Sequence, residues 1–384
     1  MKIAIVGPYP LDTQRLSGVE VAIIYVQREL VRMPGIALHV VTCNPTLDAP
    51  RTVTLDGVPI TYLPRHGLGR LTGHAREERA IGAALRAIQP DIVHAHGSGL
   101  YAGAALASGL PTVLTVHGIA AKESELLSGW NHRLRGWLDA RYERRVVARA
   151  EHMMLITPYV EQVFAGVFRG RSYLVENACD DAFFALERQP VAGRVFFAGP
   201  VLARKGILPL LKALALVRDH VPGVQLRIAG STTIDLAYYA ECAAYVQAAG
   251  LSVNVAFLGH LAQAAVLEEY RTCALFVLPS FQETAPMVIE QAMAAGVPSI
   301  ATRAGGVPWM IDEGVTGLSL PVPATLAGEP EPLAAALVRL LTDGDLAQRM
   351  GAAAKAQAEA RFRPSAVAQR TVEVYEQVLT GRAR

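Results

Sequence analysis

The sequence predicts an α/β protein built from two Rossmann-like halves. Two observations carry this: short apolar runs rich in Val and Ile recur along the chain, and longer segments of helical period separate them. Such runs suit strands buried on both faces, and strand-helix alternation implies parallel sheets wrapped by helices. At 384 residues, 52% of them hydrophobic and 18% charged, the chain is long enough for more than one core.

In chain order, the first half offers the strands KIAIVG, LHVVTC, ITYLP, DIVHAH, TVLTVHG, HMMLIT and SYLVEN. The polar, turn-rich stretch ALERQPVAGR (185–194) interrupts the pattern, and a strand, a Gly-rich loop and a helix then restart it. This places a domain boundary at 186/187. The second half continues with VFFAGP, LRIAG, VAFLG, LFVLP and PSIAT, with 320–332 as a Pro-rich surface loop. Alanine content makes LAQRMGAAAKAQAEARF a helix, and Pro364 opens another over 364–384. The expected domains are therefore 1–186 and 187–363, followed by the closing helix. Parallel sheets of this kind bind ligands beyond the carboxyl ends of their strands. Two of them place a site in the cleft between the domains.

Composition narrows the function classes. A formal charge of +2 and no basic motif argue against nucleic acid as a partner. Cys43, Cys179, Cys242 and Cys273 lie far apart, with neither zinc-site spacing nor the density of a disulfide scaffold, so reduced thiols are expected. The start, MKIAIVGPYP, is too short in apolar residues for a signal peptide, and no apolar run reaches the roughly 18 residues of a membrane span. A cytoplasmic protein is expected.

The chemistry-bearing residues follow strands of the second half. Lys205 and Gly206 stand where a helix begins, so a cation and free backbone N–H groups can meet an anion together. Gly305 and Gly306 follow PSIAT and allow close backbone approach to a ligand. In PSFQETAPMVIEQAMAAG, Glu283 sits in the loop after a buried strand, and Pro286 is placed as the first residue of a helix running to about Gly296. Val288, Ile289, Ala292 and Met293 share the face that packs on the sheet. Glu290 and Gln291, about 100° apart on the helix, flank that face, which makes Glu290 a solvated residue.

Together, GPVLARKG, the stretch from LFVLPSFQETAPMVIEQAMAAGVPSIATRAGG to WMIDEGVTG, and GPYPLDTQRLSGVEVAI make the chain resemble the retaining GT-B glycosyltransferases of family 4. The resemblance covers nearly the whole chain. It implies that Glu283 contacts hydroxyls of a donor sugar, and that Thr284, Ala285, Pro286 and Met287 run along the sugar and its diphosphate. Lys205 matches the family's phosphate-binding Lys, Gly305 and Gly306 supply amides, and Gly18 falls in the loop near phosphates and acceptor. His117 matches the His that contacts a distal sugar hydroxyl.

Two positions depart from the family's pattern. The second Glu of its paired motif, which binds the ribose, is Gln291 here, a neutral and weaker acceptor. Pro200 stands where many members continue Gly-Arg, and Arg204 is the candidate substitute. The implied activity is transfer of a hexose from a UDP- or GDP-linked donor to an acceptor hydroxyl, with no metal or other cofactor. Two other readings stay open: a non-catalytic nucleotide-sugar-binding protein, and a nucleotide-sugar epimerase on the same fold.

His94 and His96 alternate on one strand and share a face, which also suits a metal, but no Asp or Cys partner is evident, so they read as structural or acceptor-lining. The stretch 131–152 is basic and amphipathic, with Leu134, Trp137, Leu138, Tyr142 and Val146 on its apolar side. It reads as a surface helix, with peripheral contact to the inner face of a membrane as the alternative.

Overall fold

The computed structural model describes residues 1–11, 16–65, 74–125, 130–326 and 328–381. The chain divides into two compact units, Met1–Ala178 with Pro364–Arg384, and Cys179–Arg363.

The first unit holds β1 (Lys2–Val6), β2 (Ala37–Asn44), β3 (Arg51–Leu55), β4 (Val58–Pro64), β5 (Ile92–His96), β6 (Thr112–Thr115), β7 (His152–Leu155) and β8 (Arg171–Leu174). They form one sheet in the order β3-β4-β2-β1-β5-β6-β7-β8. β5 and β6 are buried at every position, as strands covered on both faces must be. The sheet is not wholly parallel as expected: β3 pairs antiparallel with β4. The turn between them, Asp56-Gly57, has φ of 49° and 79°, the double positive that a two-residue hairpin requires. An Asp-Gly pair between β-rich runs was the available signal.

The helix Pro364–Gly381 belongs to this first unit and packs on the helix Gly18–Arg32. Its buried residues Val367, Ala368, Thr371, Val374, Tyr375 and Val378 recur at three and four positions, the stripe of an amphipathic helix on a core.

The second unit holds β9 (Arg194–Ala198), β10 (Gln225–Ala229), β11 (Val255–Gly259), β12 (Leu275–Leu278), β13 (Ser299–Thr302) and β14 (Gly317–Leu320). Their order is β11-β10-β9-β12-β13-β14, all parallel. β14, only four residues long, has no sequence run strong enough to announce it. The units divide at Ala178/Cys179, ahead of the expected 186/187. The reason is packing: Cys179, Phe183 and Phe184 are already buried in the second unit's core, and the Cys179 amide donates to the Phe362 carbonyl. The Pro-rich loop is also shorter than expected, because Pro330 and Pro332 lie in the first turn of the helix Pro330–Thr342, where a missing N–H costs nothing. All four cysteines are free and buried.

Candidate active site

β9, β12 and β13 are neighbours in the second sheet, and the loops at their carboxyl ends are tied to one another. After β9 a short 3-10 turn, Ala203–Lys205, leads through Gly206 into the helix Ile207–Arg218. Gly206 has φ 71°, and a Cβ there would lie 2.1 Å from the Pro279 carbonyl oxygen, so only glycine lets this turn sit against the loop after β12. The Phe281 amide closes the same contact by donating to the Arg204 carbonyl at 2.8 Å. The loop after β13 joins them: the Thr302 hydroxyl donates to the Ser280 carbonyl, and the Gly306 amide to the Glu283 carbonyl at 3.2 Å.

That scaffold brings Lys205 and Glu283 together. Both are buried, at 9% and 8% exposed, and Lys205 Nζ donates to Glu283 Oε1 at 2.5 Å. The ammonium keeps donors to spare, and so does the carboxylate for acceptor sites. One can face an anion while the other accepts from hydroxyls. Arg204 is half-buried beside them, and no acceptor among the described residues takes its guanidinium. Thr284 is buried in the same loop, followed by Ala285, Pro286 and Met287.

Pro286 is the N-cap of the helix Met287–Ala294, one position before its expected place as the first helical residue. Glu290 is a larger correction. It is 1% exposed, not solvated, because the helix also packs against Gly344–Arg361 and Asp181–Phe184 and so is covered beyond the face it turns to the sheet. Gln291 is half-buried, with its amide oxygen 3.3 Å from the Tyr270 hydroxyl, which donates its proton to the nearer Val288 carbonyl at 2.9 Å. Tyr270 was not singled out from the sequence; it is fully buried against Phe183, Phe196 and Phe276, and holds Gln291 from the core side.

In the first unit His117 follows β6, half-buried, with Nε2 2.9 Å from Nδ1 of His96. His94, its ring tilted 35° against that of His96, hydrogen-bonds Thr115 Oγ1 through Nε2 and Tyr375 Oη through Nδ1, each at 2.7 Å. Burial pushes His94 down to about 3 and His117 to about 4, and holds His96 well below its usual range. These are neutral imidazoles: both nitrogens of His94 serve the fold, and His96 and His117 share one hydrogen bond. Gly18 opens the helix Gly18–Arg32 behind a capping box, in which the Ser17 hydroxyl accepts from the Glu20 amide and the Glu20 carboxylate accepts from the Ser17 amide. Residues 12–15 of the glycine-containing stretch lie outside the described residues.

The basic helix is Trp130–Val147. Val146 is buried and Leu138 and Tyr142 are half-buried, but Leu134 and Trp137 are exposed among Arg133, Arg135, Arg141 and Arg144, so the expected apolar side splits between core and solvent. Among the described residues no helix is long and apolar enough to cross a membrane.

The fold and these loops define a class: two Rossmann-like units with parallel strands feeding the site loops are the GT-B glycosyltransferase fold. Solved structures agree. Sucrose-phosphate synthase from Thermosynechococcus elongatus superposes with a TM-score of 0.80 at 20% identity over 99% of both chains. Anabaena HepE in complex with UDP-glucose gives 0.76 at 20% identity, covering 98% of this chain and all of that one. Residues 181–357 match the family described as "Glycosyl transferases group 1", and residues 16–183 match "Glycosyltransferase Family 4". The glycogen synthase of Mycobacterium tuberculosis is 30% identical over 310 residues, 76% of this chain and 69% of its own length. D-inositol 3-phosphate glycosyltransferase of Streptomyces griseus is 31% identical over 193 residues, 49% of this chain and 40% of its own. The chain belongs to the family 4 glycosyltransferases.

Proposed function

We propose that the protein is a retaining glycosyltransferase that moves a hexose from a nucleoside diphosphate sugar, UDP- or GDP-linked, to an acceptor hydroxyl in glycan, polysaccharide or glycolipid synthesis. The observation that carries this reading is the buried Lys205–Glu283 pair among the loops after β9, β12 and β13. Glu283 and the backbone of Thr284 to Met287 hold the sugar. Lys205, Arg204 and the backbone around Gly305 and Gly306, where the Gly306 amide is held on the Glu283 carbonyl, offset the charge that builds on the leaving diphosphate, by electrostatic preorganisation. The anomeric C–O bond to phosphate breaks as the acceptor oxygen bonds to the same face, and the acceptor's proton passes to a phosphate oxygen. His117 would face a distal sugar hydroxyl, Gly18 the phosphates or acceptor, and Gln291 the ribose. No step in this scheme calls for a metal.

Support comes from family membership and from the HepE complex, whose bound ligand is UDP-glucose. The helix Trp130–Val147 is read as an ordinary surface helix; co-sedimentation with anionic liposomes at low salt would instead make it a membrane contact.

The test is calorimetric titration with UDP, GDP and ADP and then their hexose conjugates. One nucleotide should bind the wild type and be lost with Lys205→Ala. Binding to none of them, or binding indifferent to Lys205, sinks the proposal. Turnover of a bound donor without acceptor to an epimerised sugar would favour the epimerase.

A further inference from the structure

The second unit carries a cavity of about 640 Å³ at the other end of its sheet. Gly193, Ala274 and Pro298, which line it, immediately precede β9, β12 and β13, whereas the Lys205–Glu283 loops follow those strands. The two places are therefore separated by the length of the sheet. One face of the helix Gly344–Arg361 forms the opposite wall, through Gly344, Ala347, Gln348, Gly351, Ala352 and Lys355. These positions recur at three and four residues, and the small ones among them, Gly344, Ala347, Gly351 and Ala352, leave the space open.

The chemistry of the wall is one-sided. Leu186, Pro190, Leu340 and Leu341 supply apolar surface, Arg188 and Lys355 supply two cations, and no Asp or Glu lines the cavity. The guanidinium of Arg188 is fixed by the Gly296 carbonyl, 2.8 Å from one terminal nitrogen, and by the Cys273 carbonyl. Its Nε is buried and has no hydrogen-bond partner among the described residues. Lys355 Nζ donates to the Phe184 carbonyl at 2.7 Å, which uses one of three donors. Neither cation has a carboxylate partner among the described residues. Both side chains are half-buried, and Arg188, held below its usual range by desolvation, has only backbone dipoles where a counter-ion would normally sit.

We propose that this cavity is a binding site for a phosphate monoester with an apolar body, distinct from the site at the carboxyl ends of the strands. The volume falls within the roughly 300–1,000 Å³ of small-molecule sites, and an apolar lining with a few fixed polar groups is their usual make-up. Two cations match a phosphate dianion, and the leucines match a hydrocarbon or ring body.

The probes are hexyl phosphate, hexanol and inorganic phosphate, titrated into the full chain by calorimetry. Hexyl phosphate should bind with saturation at one site, and hexanol and inorganic phosphate at least about tenfold more weakly, since each lacks one half of the recognition. Lys355→Gln should weaken hexyl phosphate about tenfold, the effect of one charge-assisted hydrogen bond. Ala352 is exposed at the cavity wall, so Ala352→Trp fills the space without entering the core and should abolish binding. Lys205→Ala should leave it unchanged. Absence of saturable binding, or binding that survives Ala352→Trp and is lost with Lys205→Ala, overturns the proposal.

Discussion

Lys205 Nζ and Glu283 Oε1, 78 positions apart in the chain, meet at 2.5 Å in a site where both side chains are nearly closed to water. Removing one partner of such a pair strands the other's charge, whereas replacing both by apolar groups is often tolerated. Lys205→Ala should therefore lower stability by about 3 kcal/mol. The double variant Lys205→Met/Glu283→Leu should regain most of that in urea unfolding yet bind no nucleotide sugar. A double variant that bound the donor like wild type would reduce the pair to a structural role.

The sequence reached each of these residues singly, through its place after a strand, but not their pairing, because nothing local relates positions so far apart. His94 and Tyr375 make the same point across 281 positions. The alternating strands were legible because burial on both faces imposes a continuous apolar run, as in Leu275–Leu278. β3 was not, since Arg51–Leu55 is a half-exposed edge strand whose only strong cue is the Asp-Gly turn after it. Glu290 was misplaced because one helix cannot show how many neighbours will cover it; its burial is set by Gly344–Arg361, more than fifty residues downstream.

Gln291→Glu should be accommodated, because the side chain is half-buried and the Tyr270 hydroxyl 3.3 Å away can turn its proton from the Val288 carbonyl to a carboxylate oxygen. A charged acceptor makes a hydrogen bond roughly twice as strong, so nucleotide affinity should rise about tenfold if this side chain meets the ribose. Calorimetry on the variant reads this directly, and unchanged affinity would remove Gln291 from the donor site.

Two glycines separate backbone necessity from ligand contact. Gly206→Ala forces a Cβ toward the Pro279 carbonyl at a positive φ and should cost about 2 kcal/mol or more, with loss of donor binding as the loops part. Gly18→Ala meets nothing within 4 Å and stands at the start of a capped helix, so its stability should stay within about 0.5 kcal/mol of wild type. A fall in kcat/KM for Gly18→Ala at unchanged Tm would mark Gly18 as a residue beside substrate; unchanged kinetics would make it an ordinary helix start.

Acid should unfold the protein through His94 before its carboxylates matter. In the fold, burial holds this imidazole at about 3, where an unfolded histidine titrates near the ordinary 6.5. The folded value is the lower one, so the contribution is complete above pH 6.5 and is lost as pH falls from there toward 3, because the unfolded chain takes up a proton the native state refuses. The slope is about 1.4 kcal/mol per pH unit for each such histidine, and His117, held at about 4, adds in the same direction over most of the window. Urea unfolding between pH 8 and 4.5 should show stability flat above about pH 7 and falling steeply below it. His94→Gln keeps hydrogen-bonding groups for Tyr375 and Thr115 but cannot titrate, so it should lower stability at pH 8 and flatten the acid limb by about one proton's slope. An acid limb as steep in His94→Gln as in wild type would show that His94 is not the group refusing the proton.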